Sequence, residues 1–381
     1  MRVLITVPPA KSHLLPLVPL AWSLIGHGHE VLVASASSAV PAAVAAGLRT
    51  VDVAPDADFD AVFGVRDGTP AERAADLRRR GEELARNGGA TTAPIFERFA
   101  QVSGLMAAGT LAVAELVRPD LVVTGRLQGA GLLVGSRFDV PVVEHGVGLV
   151  TDPGHAGRFL PHLSELYAAH GVPLEPPQLA TLHIAPPEIM VGGGRGVWNM
   201  RFVAYNGGGE LPGWAGERAR PRVVVTLGTV LPRAVGVDGL GGVLKALAQV
   251  DAEVVLLGSG MDALGPLPAN VRAERWLPLS ALLEVSNAIV HHGGGGTALN
   301  AINAGIPQLA IPFAADEFVN ADVISRHRLG LAATLEELDG GLLERVLHDP
   351  GLSAGARWAR ERSRACPVPG EMVGALAAWA R

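Results

Sequence analysis

The stretch AIVHHGGGGTALN at residues 288–300 decides the fold of this chain. The apolar run from Ala288 to Val290 is typical of a buried strand, and the apolar residues after Thr297 predict a helix. A strand that enters a helix through glycines is a βα unit, and such units build parallel sheets. Because the backbone amides and the dipole of the helix N-terminus then face one point, the stretch also predicts an anion site.

The glycine loop has the chemistry of a diphosphate site. Glycines allow the backbone to approach phosphate closely, and the four in this loop are Gly293, Gly294, Gly295 and Gly296. Thr297 can donate its hydroxyl, and His292 a ring N–H, to phosphate oxygens. The loop is not a Walker A motif, since no Gly-Lys-Ser/Thr follows. A plain glycine turn is the alternative when the loop is considered alone.

Two carboxylates follow the next predicted strand, which covers residues 308–312. Asp316 and Glu317 stand where a helix should begin, so helix capping is one explanation for them. If a phosphate occupies the glycine loop, they would instead face the hydroxyls of a sugar attached to it.

Strand and helix patterns alternate in two series, one starting with strands at 3–7 and 30–34 and the other near Arg222. A chain of 381 residues is long enough for two cores with a ligand cleft between them. We predict an α/β fold of two Rossmann-like, doubly wound parallel-sheet domains. The first covers residues 1–205 and the second residues 222–366. A linker, 206–221, joins them, and a final helix, 367–381, would pack back on the first domain. Residues 56–101 and 151–200 follow neither pattern and are predicted to be loops and mobile helices.

Composition narrows the classes of partner. The net charge of −6 and the absence of a Lys/Arg-rich block argue against nucleic acid, and Arg78, Arg79 and Arg80 are interpreted as a solvated helix face. The single cysteine, Cys366, excludes an internal disulfide or a Cys-based zinc site. The single cysteine also fits a reducing cytoplasm, which is the expected location. No apolar run reaches the roughly 18 residues that span a bilayer, so we expect no membrane span.

The segment from Trp276 to about Asn320 resembles the donor-binding signature of family 1 glycosyltransferases, which have the GT-B fold. The likeness extends over most of the chain, including residues 201–207, 225–229 and 367–369. It is closest to actinobacterial enzymes of natural-product biosynthesis, and within those to the enediyne glycosyltransferases of the calicheamicin type.

The resemblance implies that the first domain binds an acceptor and the second a donor, and it implies roles for individual residues. The nucleobase would lie against Trp276 and Leu277. The phosphates would be held by Gly228, Thr229, His292, Gly296 and Thr297. The donor sugar would be held by Asp316 and Glu317. Because the family usually has Gln at the second of these two positions, Glu317 leaves the identity of the sugar open.

His13 is the candidate general base. It follows the first predicted strand, and a lone His near an apolar helix is more often structural, but family 1 enzymes place their base at this position. They often support it with an Asp after the strand that corresponds to 121–123, where this chain has Arg126 and no carboxylate. Arg126 would lower the basicity of a nearby His. Glu144 and His145, after the next strand, are the substitutes to test.

The expected activity is an inverting, metal-independent transfer of a deoxysugar from a dTDP-sugar to a hydrophobic enediyne or polyketide acceptor. The dTDP-sugar is a co-substrate, and no other cofactor is expected. Four further histidines lack the pairing of a helix-borne metal site and are assigned to irregular, solvated sequence: His155, His162, His170 and His183. The alternatives are a nucleotide-sugar epimerase or hydrolase on the same fold, and a silent partner that activates another glycosyltransferase. A homodimer is left open.

Overall fold

The computed structural model describes residues 1–63, 70–86, 91–150, 154–190, 197–217, 219–226, 241–258, 265–313 and 316–381. These residues form two α/β domains, each built on a parallel sheet. The prediction of two doubly wound parallel-sheet domains is confirmed.

The first sheet has seven parallel strands in the order β3-β2-β1-β4-β5-β6-β7. Their bounds are β1 Arg2–Thr6, β2 Glu30–Ser35, β3 Thr50–Asp52, β4 Leu121–Gly125, β5 Val142–His145, β6 Leu179–His183 and β7 Val197–Asn199. The order reverses between β1 and β4, which are paired in parallel. A reversal of this kind opens a crevice at the carboxyl ends of the two strands, where ligands of such sheets bind.

The second sheet repeats the arrangement with six strands in the order β10-β9-β8-β11-β12-β13. Their bounds are β8 Arg222–Thr226, β9 Glu253–Leu257, β10 Val271–Glu274, β11 Ala288–His291, β12 Gln308–Ala310 and β13 Gly330–Ala332. Here the reversal falls between β8 and β11, so the glycine loop leaves the sheet at its crevice.

Helices cover both sheets. In the first domain they are α1 Lys11–Leu14, α2 Val18–Gly26, α3 Ala39–Ala45, α4 Phe59–Phe63, α5 Pro70–Arg86, α6 Ala93–Val117, α7 Gly129–Phe138, α8 His155–Phe159 and α9 Ser164–Ala169. In the second they are α10 Gly241–Leu247, α11 Leu279–Glu284, α12 Gly295–Ala304, α13 Glu317–Arg326, α14 Gly340–His348 and α15 Pro350–Ala365. The last helix, α16 Pro369–Trp379, packs against α2 of the first domain.

Each sheet is buried on both faces. Successive residues of a strand point to opposite faces, and in β1 Val3 and Ile5 enter one apolar core while Leu4 enters another. In β8, Val223 and Val224 likewise enter different apolar cores. Burial on both faces explains why the central strands read as continuous apolar runs in the sequence.

The stretches that were predicted to be irregular contain regular structure. Within 151–200 lie α8, α9, β6 and β7, and α6 begins before residue 101 and runs to Val117. By length and composition α6 could cross a membrane, although Glu97, Arg98 and Glu115 interrupt its apolar sequence. It packs on α7, and its Phe96, Met106 and Ala114 are buried in the core of the first domain.

Candidate active site

A cavity of about 490 Å³ lies between the two domains, at the carboxyl ends of their sheets. Residues named in advance from the sequence meet there: His13 from the first domain and, from the second, His292, Gly294, Gly295, Gly296, Thr297, Asp316 and Glu317. Glu144, His145, Trp276 and Leu277 are not among its described lining residues. Gly228 and Thr229 lie outside the described residues.

The glycine loop is shaped by contacts that require glycine. Gly293 has φ +89°, and a Cβ atom there would lie 2.9 Å from the carbonyl oxygen of Glu317. A Cβ atom on Gly294 would lie 2.4 Å from Nε2 of His292. The chain thus passes closely between α13 and the His292 ring before α12 begins at Gly295, which leaves backbone amides facing the cavity.

His291 holds this loop from behind. Its ring is fully buried, Nδ1 accepts a hydrogen bond from the Gly293 N–H at 3.0 Å, and Nε2 lies 2.9 Å from Oε1 of Gln308. Burial lowers the pKa of His291 to about 3, so the ring is neutral and its Nε2–H donates to Gln308. The sequence interpretation gave His291 no role; its contact with a main-chain amide two residues ahead became visible only in the folded loop.

His292 faces the cavity, with one fifth of its side chain exposed. Burial lowers the pKa of His292, although the Thr226 backbone and Asp316 act in the opposite direction. Its Nε2 lies 4.0 Å from Oε1 of Glu317. A neutral His292 can donate one ring N–H to an anion in the cavity.

Asp316 and Glu317 stand at the start of α13, but their side chains bond elsewhere. The Asp316 side chain accepts no capping hydrogen bond from the helix; instead it accepts one from Nδ2 of Asn320 at 2.9 Å. Oε2 of Glu317 accepts the Phe313 N–H at 2.8 Å. Both carboxylates line the cavity beside the glycine loop, where sugar hydroxyls attached to a bound diphosphate could reach them.

His13 lies on α1, directly after β1, and its ring is 6.3 Å from that of Phe99. Its Nδ1 is buried and has no hydrogen-bond partner among the described residues. Burial, the largest effect, lowers the pKa of His13 to about 4; Asp316 acts in the opposite direction, and Arg126 contributes to the lowering, as expected from the sequence. At neutral pH His13 is therefore an uncharged acceptor of protons.

Glu144 and His145 lie on β5, two strands away from β1. Oε2 of Glu144 is 3.2 Å from Nδ1 of His155, and this pair is buried. Burial raises the pKa of Glu144, but His155, Arg126 and His183 lower it by more, which keeps the carboxylate ionised. His155 was expected in a solvated segment; that expectation is wrong, because the Glu144 pair and the aromatic core hold it inside.

Nδ1 of His145 lies 2.6 Å from the carbonyl oxygen of Gly146, and burial lowers the pKa of His145 to about 4. Glu144 and His145, which were proposed to support His13, thus contact His155 and the Gly146 backbone instead.

The predicted nucleobase residues differ in exposure. Trp276 is 53% exposed and lies beside Gly207 and Gly209, with Nζ of Lys11 5.8 Å from its ring centroid. Leu277 is buried in an apolar cluster of the second domain. A flat ligand could therefore stack on the Trp276 indole, whereas Leu277 could reach it only through its main chain.

Two arginines make contacts that the sequence interpretation did not assign to them. Arg126 lines the cavity, and its guanidinium donates to the carbonyl oxygen of Val150 at 2.9 Å and to Oγ1 of Thr91 at 3.3 Å. Arg78 was interpreted as solvated, yet it lies over the Phe313 ring at 6.0 Å and 3.8 Å from Oε1 of Glu336, both in the second domain. Helix α5 thereby bridges the two domains.

Among the residues that the structure describes, no group of three or more His, Cys, Asp or Glu side chains is placed to hold a metal ion. The cavity offers an amide-lined helix N-terminus, a neutral imidazole and two carboxylates on one wall, and an uncharged His and a guanidinium on the other. This arrangement can hold an anion with an attached polyol and present a second molecule to it.

Family models match nearly the whole chain. The erythromycin biosynthesis protein CIII-like N-terminal domain covers residues 22–228, and the corresponding C-terminal domain covers 242–379. The elloramycin glycosyltransferase ElmGT of Streptomyces olivaceus is 35% identical over 99% of this chain and 97% of its own. The L-demethylnoviosyl transferase of Streptomyces niveus is 34% identical over 100% and 99%.

Solved structures agree with these relatives. The glycosyltransferase SnogD from Streptomyces nogalater superposes with a TM-score of 0.84 at 36% identity and covers 100% of this chain and 99% of its own. The spinosyn rhamnosyltransferase SpnG, which has been solved with thymidine diphosphate and with spinosyn aglycone, superposes with a TM-score of 0.80 at 27% identity, over 99% of this chain and 100% of its own.

Proposed function

This chain is a GT-B glycosyltransferase that belongs to the erythromycin biosynthesis protein CIII-like family, and we propose that it moves a deoxysugar from dTDP to a hydrophobic polyketide-type acceptor. The observation that carries the proposal is the single cavity that brings His13 of one domain to the glycine loop and Asp316 of the other. A base, an anion site and a pair of sugar-binding carboxylates are the parts that such a transfer requires.

The donor assignment is supported by the glycine loop and by relatives. SpnG and SsfS6 have been solved with thymidine diphosphate, and VinC with dTDP. We place the diphosphate on the amides of Gly294 to Thr297 and on His292. The donor sugar would contact Asp316 and Glu317, and the nucleobase would stack on Trp276. Leu277, Gly228 and Thr229 are kept as further donor contacts.

The acceptor assignment is supported by the wall opposite the loop. Apolar and aromatic side chains of the first domain line it: Leu15, Ile95, Phe99, Val150, Phe202 and Tyr205. Such a surface favours a hydrophobic acceptor. Elloramycin, anthracycline and macrolide enzymes occur among the relatives, whereas no calicheamicin-type enzyme is among those named here. We therefore propose a polyketide in place of an enediyne.

The proposed step is a direct displacement with inversion. His13 takes the proton of the acceptor hydroxyl, the hydroxyl oxygen attacks the anomeric carbon, and the bond from that carbon to the phosphate oxygen breaks. The electron pair leaves with the diphosphate, whose growing charge is stabilised by the loop amides and by His292. We propose that these groups suffice without a metal ion. A cytoplasmic location stays a prediction of the sequence, and the oligomeric state stays open.

Nucleotide binding tests the donor site. Calorimetry should show tighter binding of dTDP than of UDP, and His292→Ala and Thr297→Ala should each weaken dTDP binding about tenfold or more. His348→Ala is the matched control, because His348 is exposed in the same domain and pairs only with Glu344 among the residues described. Loss of binding in the control, or no binding by the wild type, would contradict the assignment.

Release of dTDP from dTDP-deoxysugars separates the alternatives. A glycosyltransferase releases dTDP only when an acceptor is present. Release without acceptor would indicate a hydrolase, and a change in the sugar without release an epimerase. Binding of dTDP with neither reaction would favour the silent partner.

A further inference from the structure

Arg126 places a positive charge on the acceptor wall, which is the side of the cavity that the first domain forms, and it lies near the proposed general base His13. Hydrogen bonds to the carbonyl oxygen of Val150 and to Oγ1 of Thr91 hold the plane of the guanidinium. Those anchors come from loops that follow β5 and precede α6. Because a guanidinium stays charged at neutral pH, any oxygen that binds beside it is favoured in its anionic form.

Charged groups reach Arg126 from several elements. Burial lowers the pKa of Arg126, while Glu144 on β5 and Asp316 on the other domain raise it. Arg158 on α8 acts with burial. Glu144 is engaged with His155, and Asp316 with Asn320. Both carboxylates therefore already have partners of their own.

His13 is poorly equipped to ionise an aliphatic alcohol. Its Nδ1 has no hydrogen-bond partner within the described part of the chain, and burial, together with Arg126, lowers the pKa of His13 to about 4 although Asp316 acts in the opposite direction. An aliphatic alcohol, like water, ionises only near about pH 16, whereas a phenol ionises near about 10. The smaller the difference in pKa between the hydroxyl that gives up the proton and the His13 ring that takes it, the more readily the proton moves.

We propose that the acceptor hydroxyl is acidic, a phenol or an enol, and that Arg126 holds its oxygen as the anion next to His13. This inference rests on the glycosyl transfer proposed above. The O–H bond breaks and its proton passes to His13. The oxygen, stabilised by the Arg126 guanidinium, attacks the anomeric carbon, and the bonding pair of the sugar–phosphate bond leaves with dTDP. Phe99 and Tyr205, which line the same wall, provide surfaces for an aromatic acceptor ring.

A chromogenic phenol tests the charge effect without any transfer. With dTDP present, 4-nitrophenol is titrated by absorbance on the wild type, Arg126→Lys and Arg126→Gln. The midpoint of ionisation should fall by about one unit or more on the wild type, partly on the Lys variant, and not on the Gln variant. Equal midpoints on the wild type and on Arg126→Gln would overturn the inference. Equal dTDP affinity in the variants shows that they are folded.

Transfer rates provide the second test. Wild-type kcat/KM should favour a phenol over the matching cyclohexanol by at least about a hundredfold, and Arg126→Gln should remove most of that preference. If the wild type glycosylates the cyclohexanol equally well, the inference fails while the glycosyltransferase assignment stands. If the wild type neither binds dTDP nor releases it from a donor, the assignment itself fails. The wild-type comparison remains decisive even if Arg126→Gln does not fold.

Discussion

Gly148 and Gly295 bring the backbones of the two domains into contact: a Cβ atom built on Gly295 would lie 2.7 Å from the Cα atom of Gly148. Gly148 belongs to the loop after β5, and Gly295 begins α12. The acceptor wall therefore meets the proposed phosphate loop at a point with no room for a side chain. We expect this contact to set the distance between a bound donor and a bound acceptor.

Gly148→Val should separate the domains at this point. A Cβ atom there would lie 3.2 Å from the Cα atom of Gly295, and the γ-carbons of Val would need further space. Because misplacement by about 1 Å can cost about a hundredfold in rate, we expect kcat/KM to fall by that order, with dTDP affinity kept within about threefold. Gly157→Val is the control, since nothing lies within 4 Å of a Cβ atom at Gly157. An unchanged kcat/KM in Gly148→Val would contradict the prediction.

Replacement of His291 should damage stability as well as binding. His291→Leu leaves the Gly293 N–H and the Gln308 side chain without their partner, and each buried unsatisfied group costs about 1–3 kcal/mol. We expect a clear loss of unfolding free energy in urea together with weaker dTDP binding. His292→Ala should weaken dTDP binding with little change in stability. Similar stabilities of the two variants would show that His291 does not hold the loop.

Asn320 joins the glycine loop to Asp316, one of the two carboxylates that are proposed to bind the donor sugar. Its Nδ2 donates to the carbonyl oxygen of Gly293 and to Oδ2 of Asp316, both at 2.9 Å. Asn320→Ala should lower kcat/KM for the dTDP-sugar roughly 10- to 100-fold, because loop and carboxylate lose their common positioning group. Asp322→Ala on the same helix is the control, since Asp322 is exposed and pairs with Arg326 at the surface. Equal effects of the two substitutions would refute a positioning role.

Stability should fall as the pH is lowered from about 6.5 towards 4. The pKa values of His145 and His291 are lowered by burial to about 4 and about 3, from 6.5 in the unfolded chain. Within this window the unfolded state binds more protons, so each neutral buried His stabilises the fold above pH 6.5 and loses that contribution as the pH falls.

One such His corresponds to about 2 kcal/mol between pH 7.5 and 5. Urea unfolding as a function of pH measures the slope, and His145→Gln should make it shallower. An identical slope in the variant would exclude His145 as a source. His348→Gln, at the surface, is the control and should leave the slope unchanged.

The sequence predicted the parts of the site that are local. Residues 288–297 form a strand, a glycine turn and a helix start because apolar, β-branched residues favour an extended strand and glycines permit the turn that follows it, whatever the remainder of the fold. The three-residue strands β3, β7, β12 and β13 are too short to show a period of their own. Of these, β12 was predicted from its apolar run, whereas β3, β7 and β13 were missed.

The long helix α6 and the buried pair of Glu144 and His155 were not predicted from the sequence. The charged Glu97 and Glu115 obscured the apolar face of α6, which became recognisable once it packed on α7. Glu144 and His155 satisfy each other inside a core, and nothing in their immediate sequence indicates burial.

By itself the sequence determined two parallel-sheet domains, a glycine loop suited to diphosphate, and a His after the first strand. Only the tertiary structure decided that His13, Arg126 and Asp316 share one cavity, although they are far apart in the chain. The physical reason is that parallel strands bring their carboxyl ends to one edge of each sheet, and the packing of the domains joins the two edges. Contacts made in this way depend on strand order and domain packing, neither of which is encoded in the spacing of residues along the chain.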